Sequence, residues 1–377
     1  MTKKIRRYDL DWLRVIVFGL LIFYHVGMFF VPWDWHIKNP ETYDALRYPM
    51  WFVNQWRLPI LFVISGMGTR FALSWRSGKQ YRLERFKRLS IPLLVGMLLV
   101  VPPQVYVERL STGDFVGNYW SYYASTAFEG VYPEGNISWH HLWFLPYLLI
   151  YSLLLSPVFI YLRNHPEASF LHWIRKLIRQ NYGFYWFVFP LFLAEALLEP
   201  FFPVTHALIG DWFTIINFLI LFFYGFLFIA IGETFWQQLD YIKSKALLLG
   251  LLGFALLLFI THFFEDNIYI HFTEALIKVV NSWSWILALV GYAAVYLNRS
   301  SRSLRYLNEA VYPFYIFHQT ITIIIAYYLL DVNWSFLPKF LLLVLGTFLG
   351  SWLLFEITRR IRWIRPLFGM KTASHTT

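Results

Sequence analysis

The chain has 377 residues, of which 58% are hydrophobic, 21% aromatic and only 14% charged, against roughly 25% charged side chains in soluble domains. A chain this apolar is neither a soluble globular protein nor a disordered one, because disorder needs low hydrophobicity and dense charge. There is no cysteine, which excludes disulfides, cysteine-ligated metal centres and thiol nucleophiles, and the formal net charge of +10 reads as membrane topology before nucleic-acid binding.

A helix that crosses a bilayer takes about 20 predominantly apolar residues. Taken in chain order, such stretches run at 12–31, 55–75, 89–107, 140–162, 184–204, 212–232, 246–264, 274–297, 309–330 and 336–357. The fold class expected is therefore all-α, a polytopic membrane protein of about ten transmembrane helices. The fifth stretch contains two prolines and two glutamates, which can break it or make it re-entrant. Basic residues set the orientation. Twenty-five Lys and Arg, from Lys3, Lys4, Arg6 and Arg7 to the tail with Arg359, Arg360, Arg362, Arg365 and Lys371, fall on one side of this scheme. Only Lys38, Arg47, Arg57, Arg109, Lys278 and Lys339 fall on the other, so both termini are expected inside. No small-residue cleavage site follows the first apolar run, and no linker or repeat interrupts the chain; residues 1–377 read as one integral membrane domain. The longest outside loop, 108–139, is rich in aromatics and acids. An anchoring belt at the interface is the plainer account of it, and stacking on a sugar the functional one.

Charged and imidazole groups inside a span are costly and mark function by default. The first span places Asp9, Asp11 and Arg14 at its inner end and His25 deep in the apolar run. Eleven residues at about 100° each return to the same face, roughly 16 Å further along the axis, so Arg14 and His25 form one polar line. The fourth span opens on His140 and His141, beside Trp143, where interfacial anchoring and function both stay open. The ninth carries His318 near mid-depth, a second deep imidazole able to take a proton from a hydroxyl. Before the third span stand Arg82, Arg85, Lys87 and Arg88. Topology and anionic lipid explain these; an anion clamp for a phosphorylated donor is the alternative. Glu195 and Glu199 share a face, and Glu356 beside Arg359 and Arg360 reads as an interfacial salt bridge. His36, His165, His172, His206, His262, His271 and His375 fit no metal constellation, and no HExxH or nucleotide loop occurs, so no metal is expected.

The Arg14-to-His25 spacing, FVISGM in the second span and RFKR before IP at the third resemble the membrane acyltransferase-3 family. HLWFLPYLL, FYIFH and the closing FEITRRIRWIRPLFG extend the resemblance along almost the whole chain. It implies transfer of an acyl group from cytoplasmic acyl-CoA, such as succinyl-CoA or acetyl-CoA, to a hydroxyl of an extracytoplasmic glycan or glycolipid. The setting it implies is the bacterial inner membrane, and the layout is most similar to the branch that succinylates periplasmic glucans. Carried onto this chain, it makes His25 the essential catalytic residue and Arg14 its partner, with His141 and His318 in related motif positions. Arg85 and Arg88 take the paired-arginine motif, to which, with Arg82, we assign donor binding. Asp11, Trp143 and Tyr315 are expected at the substrate. Met67 stands where an aromatic is usual, and Gln319 follows His318 where His or Pro is usual. Physically, CoA is a polyanion too large and charged to cross a bilayer, so it needs a basic inner mouth. Direct transfer and a transient acyl-imidazole on His25 both fit a chain without cysteine. A secondary transporter with a path lined by Arg14, His25 and His318 is the competing class, and a non-catalytic lipid-binding or sensory membrane protein the third.

Overall fold

The computed structural model describes residues 6–371; Lys3, Lys4 and His375 lie outside the described residues. The described chain is helical throughout, with no β-strand beyond a single isolated bridge between Val131 and Ile137. It divides into two compact units. The first comprises the segment ending at Arg14 with Phe52–Arg85 and Ile150–Leu304; the second comprises Val15–Trp51, Phe86–Leu149 and the chain from Arg305.

Among the described residues, seven helices are long and apolar enough to cross a membrane. They are α1 (Tyr8–Met28), the 35-residue run Gly78–Thr112, α10 (Trp212–Ala230), α11 (Glu233–Phe263), α12 (Ile268–Tyr296), α13 (Arg302–Tyr328) and α14 (Phe336–Arg360). The other three expected stretches take different forms. Helix α2 (Arg47–Leu73) is long but carries Arg57 and Arg70 within it. Helices α6 (Phe144–Leu154) and α7 (Ser156–Asn164) belong to a pair bent by 49°, because Pro157 has no N–H to continue the ladder; the Ser156 hydroxyl donates instead to the Leu153 carbonyl at 2.9 Å. The stretch with two glutamates is a short apolar helix, Gly183–Leu197, whose last ten residues are α9 (Val188–Leu197). Helix α8 (Ser169–Ile178) is an amphipathic connector.

In the first unit, packing rests on aromatic rings and on close backbone contact. A Cβ at Gly66 would lie 1.9 Å from the Phe222 carbonyl, and one at Gly225 would lie 2.0 Å from that of Val63, so only glycine lets α2 and α10 approach this closely. Phe62 then stacks on Phe218 at 4.4 Å, and Phe159 on Phe226 at 4.0 Å.

The second unit differs in how its helices begin and end. Helix α1 stops at Met28 rather than running on to residue 31. Phe29, Phe30 and Val31 are fully buried in the turn that follows, the Lys38 ammonium donates to the carbonyls of Met28 and Val31, and burial pushes its pKa down to about 8. His25 thus lies one turn from the helix end, not deep within a longer span. The run Gly78–Thr112 consists of α3 (Gly78–Val95), a π turn at Gly96–Val100 and α4 (Pro102–Thr112). Pro102 and Pro103 lack the N–H groups that an α-helix would direct at Leu98 and Leu99. The Val101 N–H reaches back five residues to Gly96 at 2.8 Å. The Gln104 N–H bonds the Val101 carbonyl at 2.8 Å rather than that of Val100, which is used in the site.

Candidate active site

His25 on α1 and His318 on α13, 293 residues apart in sequence, meet with Nδ1 of His25 2.8 Å from Nε2 of His318. Their planes are within 3° of parallel at a centroid spacing of 4.9 Å, which fits two imidazoles sharing an edge-to-edge hydrogen bond. The proton can be assigned from the far side. His318 Nδ1 lies 2.8 Å from the Tyr315 carbonyl and 3.1 Å from that of Phe314, and a carbonyl only accepts, so Nδ1 carries the hydrogen. In a neutral ring Nε2 is then the acceptor, His25 donates from Nδ1, and Nε2 becomes the basic nitrogen of His25. His318 is fully buried and His25 partly so.

His141 stands in a 3-10 turn, His140–Trp143, with its ring edge-to-face on His318 at 5.2 Å. Its Nε2–H donates to the Ile316 carbonyl at 2.9 Å, and the Tyr315 hydroxyl donates to the His141 carbonyl at 2.7 Å. The π turn supplies the next contact. The Val100 carbonyl accepts from the Thr320 hydroxyl at 2.7 Å, and Thr320 Oγ1 accepts from the Gln104 amide at 2.7 Å. The same amide lies 3.4 Å from His141 Nδ1. Gln319, the position after His318 that departs from the expected pattern, donates to Gln104 Oε1 at 3.1 Å and to His36 Nε2 at 3.3 Å. His36 in turn donates from Nδ1 to the Glu108 carboxylate at 2.5 Å, and the Tyr132 hydroxyl donates to that carboxylate at 3.0 Å. Burial and the Glu108 charge raise the Tyr132 pKa.

A buried polar chain therefore extends from the histidine pair to a carboxylate, all within the second unit. Gln104, Glu108, Gln319, Thr320, Tyr132 and His36 were not singled out by sequence as site residues. The one signal present was Pro102-Pro103 inside an apolar run, which breaks the helix where Gln104 turns inward. Spacing places His36 in no metal constellation; the fold brings ligand atoms of His36, Glu108 and His140 within 4.8 Å of one another.

A cavity of about 360 Å³ reaches His318 between α1, α13 and α14, lined by Phe18, Ile22, Phe314, Leu349 and Trp352 among others. Its lining residues near the N-terminus of α13 and the C-terminus of α14, Tyr306 and Trp352, join a polar cluster. Trp352 donates to the Tyr306 hydroxyl at 2.7 Å, and Tyr306 donates to Glu356 at 2.8 Å. Glu356 makes the expected salt bridge, 3.3 Å from Arg359 and 3.5 Å from Arg360. The loop 108–139 packs its rings on one another, with Phe115 on Tyr122 at 5.3 Å; α5 (Tyr119–Ser125) carries Trp120, which stays 76% exposed. Arg109 ties this loop down through Asn136 and the carbonyls of Pro133 and Gly135.

The remaining sequence candidates are placed as follows. Arg14 belongs to the first unit, 3.7 Å from Asp11, which also pairs with Arg6 at 2.8 Å. Arg82, Arg85 and Arg88 lie along α3. Arg82 and Arg88 are exposed, and Arg85, in the first unit, sits over the Tyr81 ring at 5.3 Å. Arg88 falls in the second unit, where its carbonyl accepts from Tyr312 at 3.0 Å. Trp143 is buried against Tyr147 with rings 5.3 Å apart, and Tyr315 holds the His141 turn.

A family model for an acyltransferase domain matches residues 7–356. Glucans biosynthesis protein C of Escherichia coli strain SMS-3-5 / SECEC is 23% identical over 379 residues, and that of strain K12 is 22% identical; each comparison covers 97% of this chain and 95% of the relative. No solved structure matches the chain. With seven helices able to cross a bilayer and a family match across nearly its whole length, this multi-pass membrane protein belongs to the acyltransferase-3 family.

Proposed function

We propose that the chain is a transmembrane O-acyltransferase of the bacterial inner membrane, taking a succinyl or acetyl group from cytoplasmic acyl-CoA to a hydroxyl of an extracytoplasmic glycan. The observation that carries this reading is the bond from His25 Nδ1 to His318 Nε2, with His318 held in turn by main-chain carbonyls. That arrangement leaves Nε2 of His25 as a base. In the step we propose, this nitrogen takes the acceptor hydroxyl proton, the oxygen bonds to the thioester carbonyl carbon, the C–S bond breaks, and CoA leaves as a thiolate that the imidazolium proton neutralises. His318 keeps the ring of His25 in the productive tautomer, and the His141 turn, held by Tyr315, backs it. The apolar cavity that ends at His318 suits the uncharged arm of the donor, while Arg14, Arg82, Arg85 and Arg88 suit its phosphates. Asp11 and Trp143 are the remaining substrate contacts proposed. The name of the glucans biosynthesis relatives supports a glucan or similar glycan as acceptor. The reading takes all ten apolar stretches as spans of one membrane domain, with both termini inside.

The test is release of CoA by the purified protein in detergent, offered succinyl-CoA or acetyl-CoA with a glucan acceptor. Wild type releases CoA and His25→Ala does not, at equal expression and thermal stability; equal release by both ends the reading. The absence of cysteine makes topology readable by single introduced cysteines. Labelling of a cysteine placed at Ser77 from the outer side would overturn the orientation.

A further inference from the structure

Three segments far apart in sequence bring His36, Glu108 and His140 together, with one ligand atom from each within 4.8 Å of the others. Two observations set the cluster apart from an ordinary ion pair. The Nε2 atom of His140 is buried with no hydrogen-bond partner among the described residues, a costly state for an imidazole nitrogen. His140 also holds a left-handed backbone at φ 39°, a conformation that costs a histidine energy and persists where surrounding structure imposes it. Its amide N–H donates to Ser138 Oγ at 2.9 Å, and its ring lies edge-to-face on His36 at 4.4 Å and on Tyr132 at 4.8 Å. The orphaned nitrogen thus belongs to a ring set among His36, Tyr132 and the carboxylate Tyr132 serves.

We infer that His36, Glu108 and His140 form a binding site for a divalent cation of the zinc class. Two imidazoles and one carboxylate are a donor set zinc takes with three protein ligands, leaving a fourth position for water or a hydroxyl oxygen. Four-coordinate zinc holds its ligand atoms about 3.3 Å apart, so the cluster closes slightly around the ion while the 2.5 Å His36–Glu108 contact opens. Glu108 is already oriented by the Tyr132 hydroxyl, an outer hydrogen bond of the kind metal ligands usually have. Nitrogen donors favour zinc over magnesium, which prefers oxygen. The inference stands on binding alone and does not rest on acyl transfer.

The experiment uses the full chain, purified without a histidine tag, stripped with chelator, re-exposed to zinc or magnesium and assayed for bound metal and thermal stability. Wild type retains roughly one zinc per chain, no magnesium, and melts higher with zinc. His140→Asn, which tolerates the left-handed backbone, and Glu108→Gln lose the zinc and the shift, whereas a His25→Ala/His318→Ala variant keeps both. Zinc content in wild type no higher than in His140→Asn overturns the site. Zinc lost from the His25→Ala/His318→Ala variant but kept by His140→Asn overturns it equally, by assigning the metal to the histidine pair.

Discussion

His318 and His36 each direct Nδ1 at an oxygen, but the oxygens differ in kind. For His318 they are the carbonyls of Phe314 and Tyr315, four and three residues back on its own helix. For His36 the oxygen is the Glu108 carboxylate, 72 residues away. A carbonyl is neutral and only accepts, so it fixes the ring proton on Nδ1 and turns Nε2 into a directed acceptor for His25. A carboxylate adds a full negative charge, which draws a cation to the cluster and gives it two further lone-pair sites, one already taken by Tyr132. The helix-borne histidine thus suits the proton transfer proposed for it and the loop-borne one the cation proposed for it, and Gln319 and Gln104 join them without charge.

The largest expected effect breaks the helix-borne side. His25→Ala lowers the rate of CoA release by about 10²–10⁴-fold, the range for a lost general base, with thermal stability little changed; a rate within tenfold of wild type refutes the assignment. Next comes His318→Phe, which removes the acceptor for His25 Nδ1–H and costs about 10²-fold in the same assay. His318→Gln recovers part of this, because an amide oxygen can accept the same hydrogen bond; equal activity of the two variants would mean that filling the space is all His318 does.

The pH profile sharpens the contrast. A neutral His25 is needed to accept a proton, so acid that protonates the imidazole lowers the rate of CoA release. A rate that rises on acidification is incompatible with His25 as base. Smaller effects lie in the linking residues. Thr320→Val leaves the Val100 carbonyl with only the Gln104 amide, 3.4 Å away, and costs about 1–2 kcal/mol of stability, read by thermal unfolding. Tyr315→Phe removes the bond to the His141 carbonyl at a cost of about 1 kcal/mol; unchanged melting in either variant would show that its hydrogen bond contributes nothing net.

Much of the helical framework was legible because apolar runs of membrane length announce themselves by composition. Seven of the ten expected stretches are helices able to cross a bilayer as they stand. The departures trace to single residues: Pro157 at the α6–α7 bend, Arg57 and Arg70 within α2, and Lys38, which caps α1 and ends it at Met28. His25 and His318 were visible as imidazoles within apolar runs, and His141 as one of a pair at the start of a span. Their partners were not, since Gln104, Thr320 and Gln319 are ordinary polar residues until folding buries them.

Sequence by itself determined which segments are helical and apolar, where the cationic residues gather and which histidines sit in costly surroundings, because these follow from local composition and the helical period. Tertiary structure decided which groups touch. His25 and His318 are 293 residues apart, and His36, Glu108 and His140 come from a loop, a helix and a turn that no spacing rule connects. Local periodicity carries no information about contacts between distant segments; those are set by how the helices pack.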